Sequence, residues 1–499
     1  MKMVSAAETA PTRKLKSLEG ELSALRASVV REGAERYRAW RRHIGRREFR
    51  PSAINLAAYI ALRRHDLRDL QTALMTYGLS SLGRCEARVL PNLDAVWWAL
   101  TRLCEERPAI HAPTATRFFR GEQLLRANAA ALFGRPPGAR RTHIMVTLPS
   151  EAALDYPLVL RLVTNGMDCA RINCAHDDSR HWRAMIANVR RAAAEANRFC
   201  AICADVRGPR LRTGTVRSPE GRDRAAIGDR LFLAANSAAP VPSDVFKVDV
   251  SEPEVLRQLR AGESACIDEG RIDCAIEEVR PDGVMLLVRH ARPKGEKVRP
   301  EKGLNFPRSS LTLTPLTPDD MSALDTLADA VDMIGYSFVK TAQDVALLLD
   351  EIHARRSPER SPCGIVLKIE SAQAVRNLPE LIVRSAGIAP TAVMIARGDL
   401  AIEIGYRRLA EMQEEILWLC EAAHIPVIWA TQVLDYFVKK GRMSRAEFTD
   451  AAMAERADCV MLNKGPFAAE AVLILDDVLA RMEGHQAKKT SRLRALHSW

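Results

Sequence analysis

Beyond residue 140 the apolar residues come in short unbroken runs that end abruptly in charge, separated by stretches where apolar positions recur every three or four residues. Eight such runs stand at Thr142 to Leu148, Asp168 to Cys174, Cys200 to Val206, Val331 to Phe338, Gly364 to Glu370, Thr391 to Ala396, Pro426 to Gln432 and Cys459 to Asn463. Apolar runs of this length read as strands buried on both faces, and strands alternating with helices imply a parallel sheet. Eight units predict α/β architecture of the closed (β/α)8 TIM barrel type. The spacing breaks once, after the third run. Gly228-Asp-Arg-Leu-Phe-Leu and Gly283-Val-Met-Leu-Leu-Val-Arg read as strands of an inserted small β domain, placed as a lid over the barrel's active face.

Before the barrel the pattern is helical and arginine-dense, as in Leu56-Ala-Ala-Tyr-Ile-Ala-Leu-Arg-Arg-His-Asp-Leu67, with a helix start expected at Pro91-Asn-Leu-Asp94. Gly134-Arg-Pro-Pro-Gly-Ala-Arg-Arg141 reads as a linker. The expected division is an N-terminal helical region with linker at 1–140, the barrel at 141–213 and 304–485, the lid at 214–303 and a basic tail at 486–499.

Composition adds bounds. The chain has 499 residues and a formal charge of +11, which favours acidic partners without selecting phosphorylated metabolites over nucleic acid. No nucleic-acid reader motif is present, and the arginines read as solvated helix faces. Eleven scattered cysteines and no secretory segment predict reduced thiols and a cytoplasmic protein; no apolar run is long enough for a membrane span. Cys200 and Cys203 form a C-x-x-C, but residues three apart on a strand face opposite sides, which argues against a shared metal or redox site.

Candidate chemistry collects at the ends of the runs. Lys368 and Glu370, two apart on a strand, share a face, and Asp399 closes the next strand toward the same space. A lysine and two carboxylates there suit a divalent cation and an anionic substrate, since Mg²⁺ prefers oxygen ligands and shares them with phosphate. Arg171 and Asn173 end the second run, Thr431 and Gln432 the seventh. The loop after the third, Asp205-Val-Arg-Gly-Pro-Arg-Leu-Arg212, carries three guanidiniums suited to phosphate.

These segments, with Lys302-Gly-Leu-Asn-Phe-Pro307, Leu367-Lys-Ile-Glu370, Ile395-Ala-Arg-Gly-Asp-Leu400, Trp429-Ala-Thr-Gln-Val-Leu434 and Ser444-Arg-Ala-Glu447, resemble the pyruvate kinase family from about Thr142 to Leu479. The resemblance implies transfer of a phosphoryl group from phosphoenolpyruvate to ADP, giving pyruvate and ATP. It implies that Glu370 and Asp399 hold Mg²⁺ (or Mn²⁺), that Lys368 and Arg171 neutralise the phosphoryl group, and that Thr431 lies beside the carbon protonated to form pyruvate. Backbone from Ala396 to Gly398 would receive the substrate carboxylate, and His176, Arg212 and Lys302 would meet the nucleotide.

The sequence departs from the family in three places. Of the monovalent-cation ligands, Asn173 and Asp205 are present, but Ala175 and Val206 replace hydroxyl residues and Arg210 replaces a glutamate, so Arg210 is expected to substitute for K⁺ and make it unnecessary. Asn463-Lys464-Gly465-Pro466 replaces the family's Ser-Gly-Glu-Thr segment. The family's further α/β domain with its effector site is not expected after the eighth helix, and the N-terminal region, through Trp97-Trp98, is the surface expected to serve self-association. Two alternatives stay open: an aldolase or lyase acting on a pyruvate enolate, and a non-catalytic phosphoenolpyruvate-binding sensor.

Overall fold

The computed structural model describes residues 10–79, 82–135, 138, 140–307, 309 and 311–492. Eight parallel strands close into a barrel: β1 (His143–Thr147), β2 (Cys169–Asn173), β3 (Ala201–Val206), β4 (Met333–Tyr336), β5 (Gly364–Ile369), β6 (Thr391–Ala396), β7 (Val427–Val433) and β8 (Cys459–Leu462). Each strand pairs with its neighbours in sequence, and β1 closes the ring on β8 with His143 opposite Cys459. Met145, Cys169, Cys203, Met333, Val366, Met394, Ile428 and Met461 fill the lumen, while the alternate residues pack outward against the helices. This period of two sends Cys200 to the outer core and Cys203 to the lumen. It also places Arg171, Asp205, Lys368 and Glu370 in the interior series, above the apolar layers.

The inserted domain is a seven-stranded sheet in the order Leu304–Asn305, Ser264–Ile267, Ile272–Arg280, Gly283–His290, Arg230–Ala234, Phe246–Val250 and Thr213–Arg217. It has its own core around Leu231, Phe246, Ile272 and Leu286.

The N-terminal region is helical. Ala10–Trp40 packs along Arg50–Leu62 and Val89–Leu103, and Gly33 permits the first crossing, since a Cβ there would stand 3.2 Å from Ala58 Cα. The helix expected to begin at Pro91 begins at Val89; proline is tolerated in a first turn, whose N–H groups have no intrahelical partner. Trp97 faces its own bundle, donating from Nε1 to Glu19 at 2.5 Å beneath the Arg26 guanidinium. The last helix, Arg120–Phe133, plugs the barrel floor, with Ala129, Leu132 and Phe133 joining the lumen cluster. Gly364 opens β5 to this plug: a Cβ there would meet Leu132 at 2.5 Å.

Part of the segment expected to be a linker, at 136, 137 and 139, lies outside the described residues, but Arg140 at its end is 3% exposed and structural. Its guanidinium donates to Asp168 Oδ2, the Thr142 carbonyl and Asp476 Oδ1, each at 2.6 Å, and to the Gly166 carbonyl at 2.7 Å. A run of breakers and charge hid a buried clamp. No helix among the described residues is long and apolar enough to cross a membrane.

Candidate active site

At the carboxyl ends of the strands, Asp205 is fully buried and organises two cations. Arg171 Nε donates to Asp205 Oδ2 at 2.8 Å, and Lys368 Nζ lies 3.3 Å from the same oxygen. Lys368 also donates to Ser337 Oγ at 2.7 Å and lies 3.2 Å from Glu370 Oε1. Arg171 Nη1 donates to Thr147 Oγ1 at 3.0 Å. Room for this carboxylate comes from Gly335, which faces Asp205 across the β3–β4 pairing: a Cβ on Gly335 would stand 2.0 Å from Asp205 Oδ1.

The titration of these groups follows from burial and their neighbours. Burial disfavours the Lys368 ammonium, but Glu370 and Asp205 outweigh it and hold the lysine above its ordinary value. Burial would raise Asp205; Arg171 and Lys368 reverse that and hold it below the usual carboxylate range. Glu370 moves the other way. Burial raises it, Lys368 only partly compensates, and the charge of Asp399 raises it further.

Asp399 lies in the first turn of the helix Arg397–Ile404, directly after β6. Its Oδ1 accepts from Arg210 Nη2 at 2.9 Å, leaving Oδ2 without a protein partner among the described residues. Arg210 in turn lies over the Phe338 ring, and the Phe338 N–H, at φ 57°, donates to Glu370 Oε2 at 2.5 Å. The two carboxylates therefore share one space. A buried carboxyl destabilised by a second carboxylate fits an oxygen-loving divalent cation, which usually takes one or two protein carboxylates and completes its shell from substrate. Glu370 and Asp399 are the residues present to hold it.

Thr431 sits at φ 68°, a rare conformation for a β-branched residue and a marker of a backbone held by its surroundings. Arg397 does the holding: it stacks on Trp429, donates to the carbonyls of Ala430 and Thr431, and grips Asp450 with both Nη atoms. Thr431 Oγ1 accepts from the Gly398 N–H at 3.1 Å, so Thr431, Gly398 and Asp399 form one edge of the site.

The remaining expected residues are placed less closely. The Asn173 side-chain oxygen accepts from the Ala175 N–H at 3.2 Å. Arg210, expected to stand for K⁺ beside Asn173 and Asp205, makes no hydrogen bond or ion pair with either and is bound to Asp399 instead. His176 is at the rim, where desolvation and the positive charge of Lys464 and Arg212 lower its pKa. Arg212 is lowered by burial and by Arg210 and Arg207, and its buried Nε has no acceptor among the described residues, so an anion arriving here would relieve both. Lys302 is turned to the lid's own Asp268 at 3.0 Å. Ser337, Phe338, Thr147 and Gly335 escaped sequence reasoning. The polar break Tyr336-Ser337-Phe338 at the end of β4 was the one available signal.

Residues 139–472 match the family described as pyruvate kinase, barrel domain. The chain belongs to the pyruvate kinase family. Pyruvate kinase PKLR of Rattus norvegicus is 31% identical over 383 residues, which is 72% of this chain and 64% of that protein. The human PKLR is 31% identical over 380 residues, with the same coverage. Pyruvate kinase of Clostridium acetobutylicum is 29% identical over 372 residues, 70% of this chain and 75% of that one. The chain thus spans under two thirds of the length of the mammalian relatives. The pyruvate kinase match takes in all eight barrel strands and the inserted sheet and ends within the helix Ala468–Glu483, whereas the helical region through residue 138 precedes it.

Proposed function

We propose that the barrel mouth transfers the phosphoryl group of phosphoenolpyruvate to ADP, giving pyruvate and ATP with uptake of one proton. Glu370 and Asp399 hold Mg²⁺ or Mn²⁺ in this reading, and the ion, when bound, neutralises charge on the enolate and phosphoryl oxygens. The observation that supports it best is the pair of buried cations, Lys368 and Arg171, anchored on a single oxygen of Asp205. The protein's own charges already balance there: Lys368, Arg171 and Arg210 against Asp205, Glu370 and Asp399. A polyanionic substrate therefore requires the extra charge of a divalent ion. Phosphoryl transfer asks mainly for positioning and electrostatic stabilisation, and this apparatus supplies both.

Each side chain has a task. Arg171 keeps at least one N–H on each Nη atom clear of protein acceptors and presents them to phosphoryl oxygens. Lys368 exchanges part of its contact with Glu370 and Asp205 for the group in transfer. Thr431 accepts from Gly398, so its own hydroxyl proton is directed toward the methylene carbon that becomes the methyl of pyruvate. The start of the Arg397–Ile404 helix offers N–H groups to the substrate carboxylate. His176 and Arg212 meet the nucleotide, and Lys302 joins them when it leaves Asp268 on closure of the lid. Arg210 stays fixed on Asp399 beside the metal-holding carboxylates, and in this reading turnover does not depend on K⁺. The test is a lactate dehydrogenase-coupled assay with phosphoenolpyruvate, ADP and Mg²⁺. Turnover that falls at least a thousandfold in Lys368→Met supports the reading; turnover equal to wild type in that variant overturns it.

A further inference from the structure

At the opposite end of the barrel from Lys368 lies a cavity of about 600 Å³. It is bounded by the plug helix Arg120–Phe133, by the residues leading into β1 and β8, and by the hairpin Gln486–Ala487/Thr490–Ser491. This volume is in the range of small-molecule sites, which run from about 300 to 1,000 Å³. Phe119, Leu125 and Ala129 make part of the wall apolar.

Cations outnumber carboxylates around it, and the carboxylates are mostly engaged. Lys489 is paired with Glu86, Lys488 with Asp458 at 2.7 Å, and Arg88 with Glu122 at 2.6 Å. Arg84 and Arg126 line the cavity and make no hydrogen bond or ion pair among the described residues. Glu455 also lines the cavity and is 7% exposed, with its Oε2 buried and without a hydrogen-bond partner among the described residues. Gln486, Lys488, Glu483 and Arg141 surround it, and burial pushes its carboxyl up to about 7. An apolar wall and unpaired guanidiniums together describe a receptor for a molecule with an apolar body and an anionic head.

We propose that this cavity at the barrel floor is a second ligand site, distinct from the mouth, that takes an organic anion with an apolar body, its head held by Arg84 and Arg126 and its body lying against Phe119 and Leu125. Sequence reading had no route to it, because its walls come from the first 140 residues, from the β1 and β8 approaches and from the last hairpin.

The probe is 8-anilinonaphthalene-1-sulfonate, an anion with an aromatic body, titrated by fluorescence into the full chain, with the neutral N-phenyl-1-naphthylamine as its uncharged counterpart. The expected result is saturable binding of one sulfonate per chain that phosphoenolpyruvate with Mg²⁺ does not displace, and at least tenfold weaker binding of the neutral probe. The charge-reversed Arg84→Glu/Arg126→Glu variant should bind at least tenfold more weakly. So should Ala127→Trp, an exposed position on the plug helix that lines the cavity. Thermal melts of both variants confirm folding, and the comparison of the two probes on the wild-type chain holds whether or not the variants fold. Equal affinity for the neutral probe, competitive displacement by phosphoenolpyruvate, or unchanged affinity in both folded variants would overturn the proposal.

Discussion

Replacing Gly335 by alanine should dismantle the site without touching any residue that meets substrate. The added Cβ would stand 2.0 Å from Asp205 Oδ1 and 2.7 Å from its Cγ. Ordinary contact begins near 3.4 Å, so the carboxylate must retreat by about 1.4 Å, the difference between 3.4 and 2.0. No slack exists for this move: Asp205 is 0% exposed and its Oδ2 holds Arg171 at 2.8 Å and Lys368 at 3.3 Å. Charge-assisted hydrogen bonds are worth about 1.5–3 kcal/mol each, and breaking a buried ion pair costs about 3–5 kcal/mol, so a loss of about 3–5 kcal/mol is expected. Displacing catalytic cations by an ångström costs about a hundredfold in rate. Denaturant midpoints and coupled turnover read both effects. Gly20→Ala, on an exposed helix face with nothing within 4 Å, is the control and should gain about 0.5–1 kcal/mol. A Gly335→Ala protein within 1 kcal/mol of wild type and fully active would refute the reasoning that Asp205 has to stand where it does.

Three further outcomes follow from other parts of the molecule. His424, 3% exposed, joins the N-terminal helices to the barrel through Ser52 Oγ at 2.8 Å and the Ala87 carbonyl at 3.0 Å, and burial lowers it from 6.5 to about 4. The unfolded chain then binds a proton at higher pH than the folded one, so stability is whole above about 6.5 and falls as pH drops toward 4. The loss is about 3 kcal/mol and should be absent from melts of His424→Gln. Arg140→Ala should cost about 3–5 kcal/mol in chemical denaturation, because it strips the buried Asp168 of its 2.6 Å partner and leaves Arg198 at 3.4 Å. Turnover should be flat from zero to high potassium, and a steep rise on adding the ion would contradict the role given to Arg210.

The barrel was legible because its strands are buried on both faces and so carry unbroken apolar runs, each found within one residue of its expected ends except at β4, where the run Val331 to Phe338 overshoots Met333–Tyr336 by two residues at each end. Lys368 and Glu370 were legible for a second reason, the two-residue period of a strand. What stayed hidden depends on partners far away in sequence. Gly335 is a glycine inside an apolar run until Asp205, 130 residues earlier, is placed against it. Arg140 looks like linker charge until Asp168 and Asp476 close around it. Arg210 was assigned to a neighbouring site by position alone, whereas its side-chain reach carries it to Asp399. The N-terminal helices were read as amphipathic, but periodicity does not say that their last member plugs the barrel.

The most direct test of the central claim is ³¹P nuclear magnetic resonance of the full chain mixed with phosphoenolpyruvate, ADP and Mg²⁺, with and without a chelator. The phosphoenolpyruvate signal should disappear as the γ-phosphate of ATP grows in equal amount, and the chelator should stop both. Persistence of phosphoenolpyruvate, or release of its phosphorus as inorganic phosphate with no ATP formed, would contradict it.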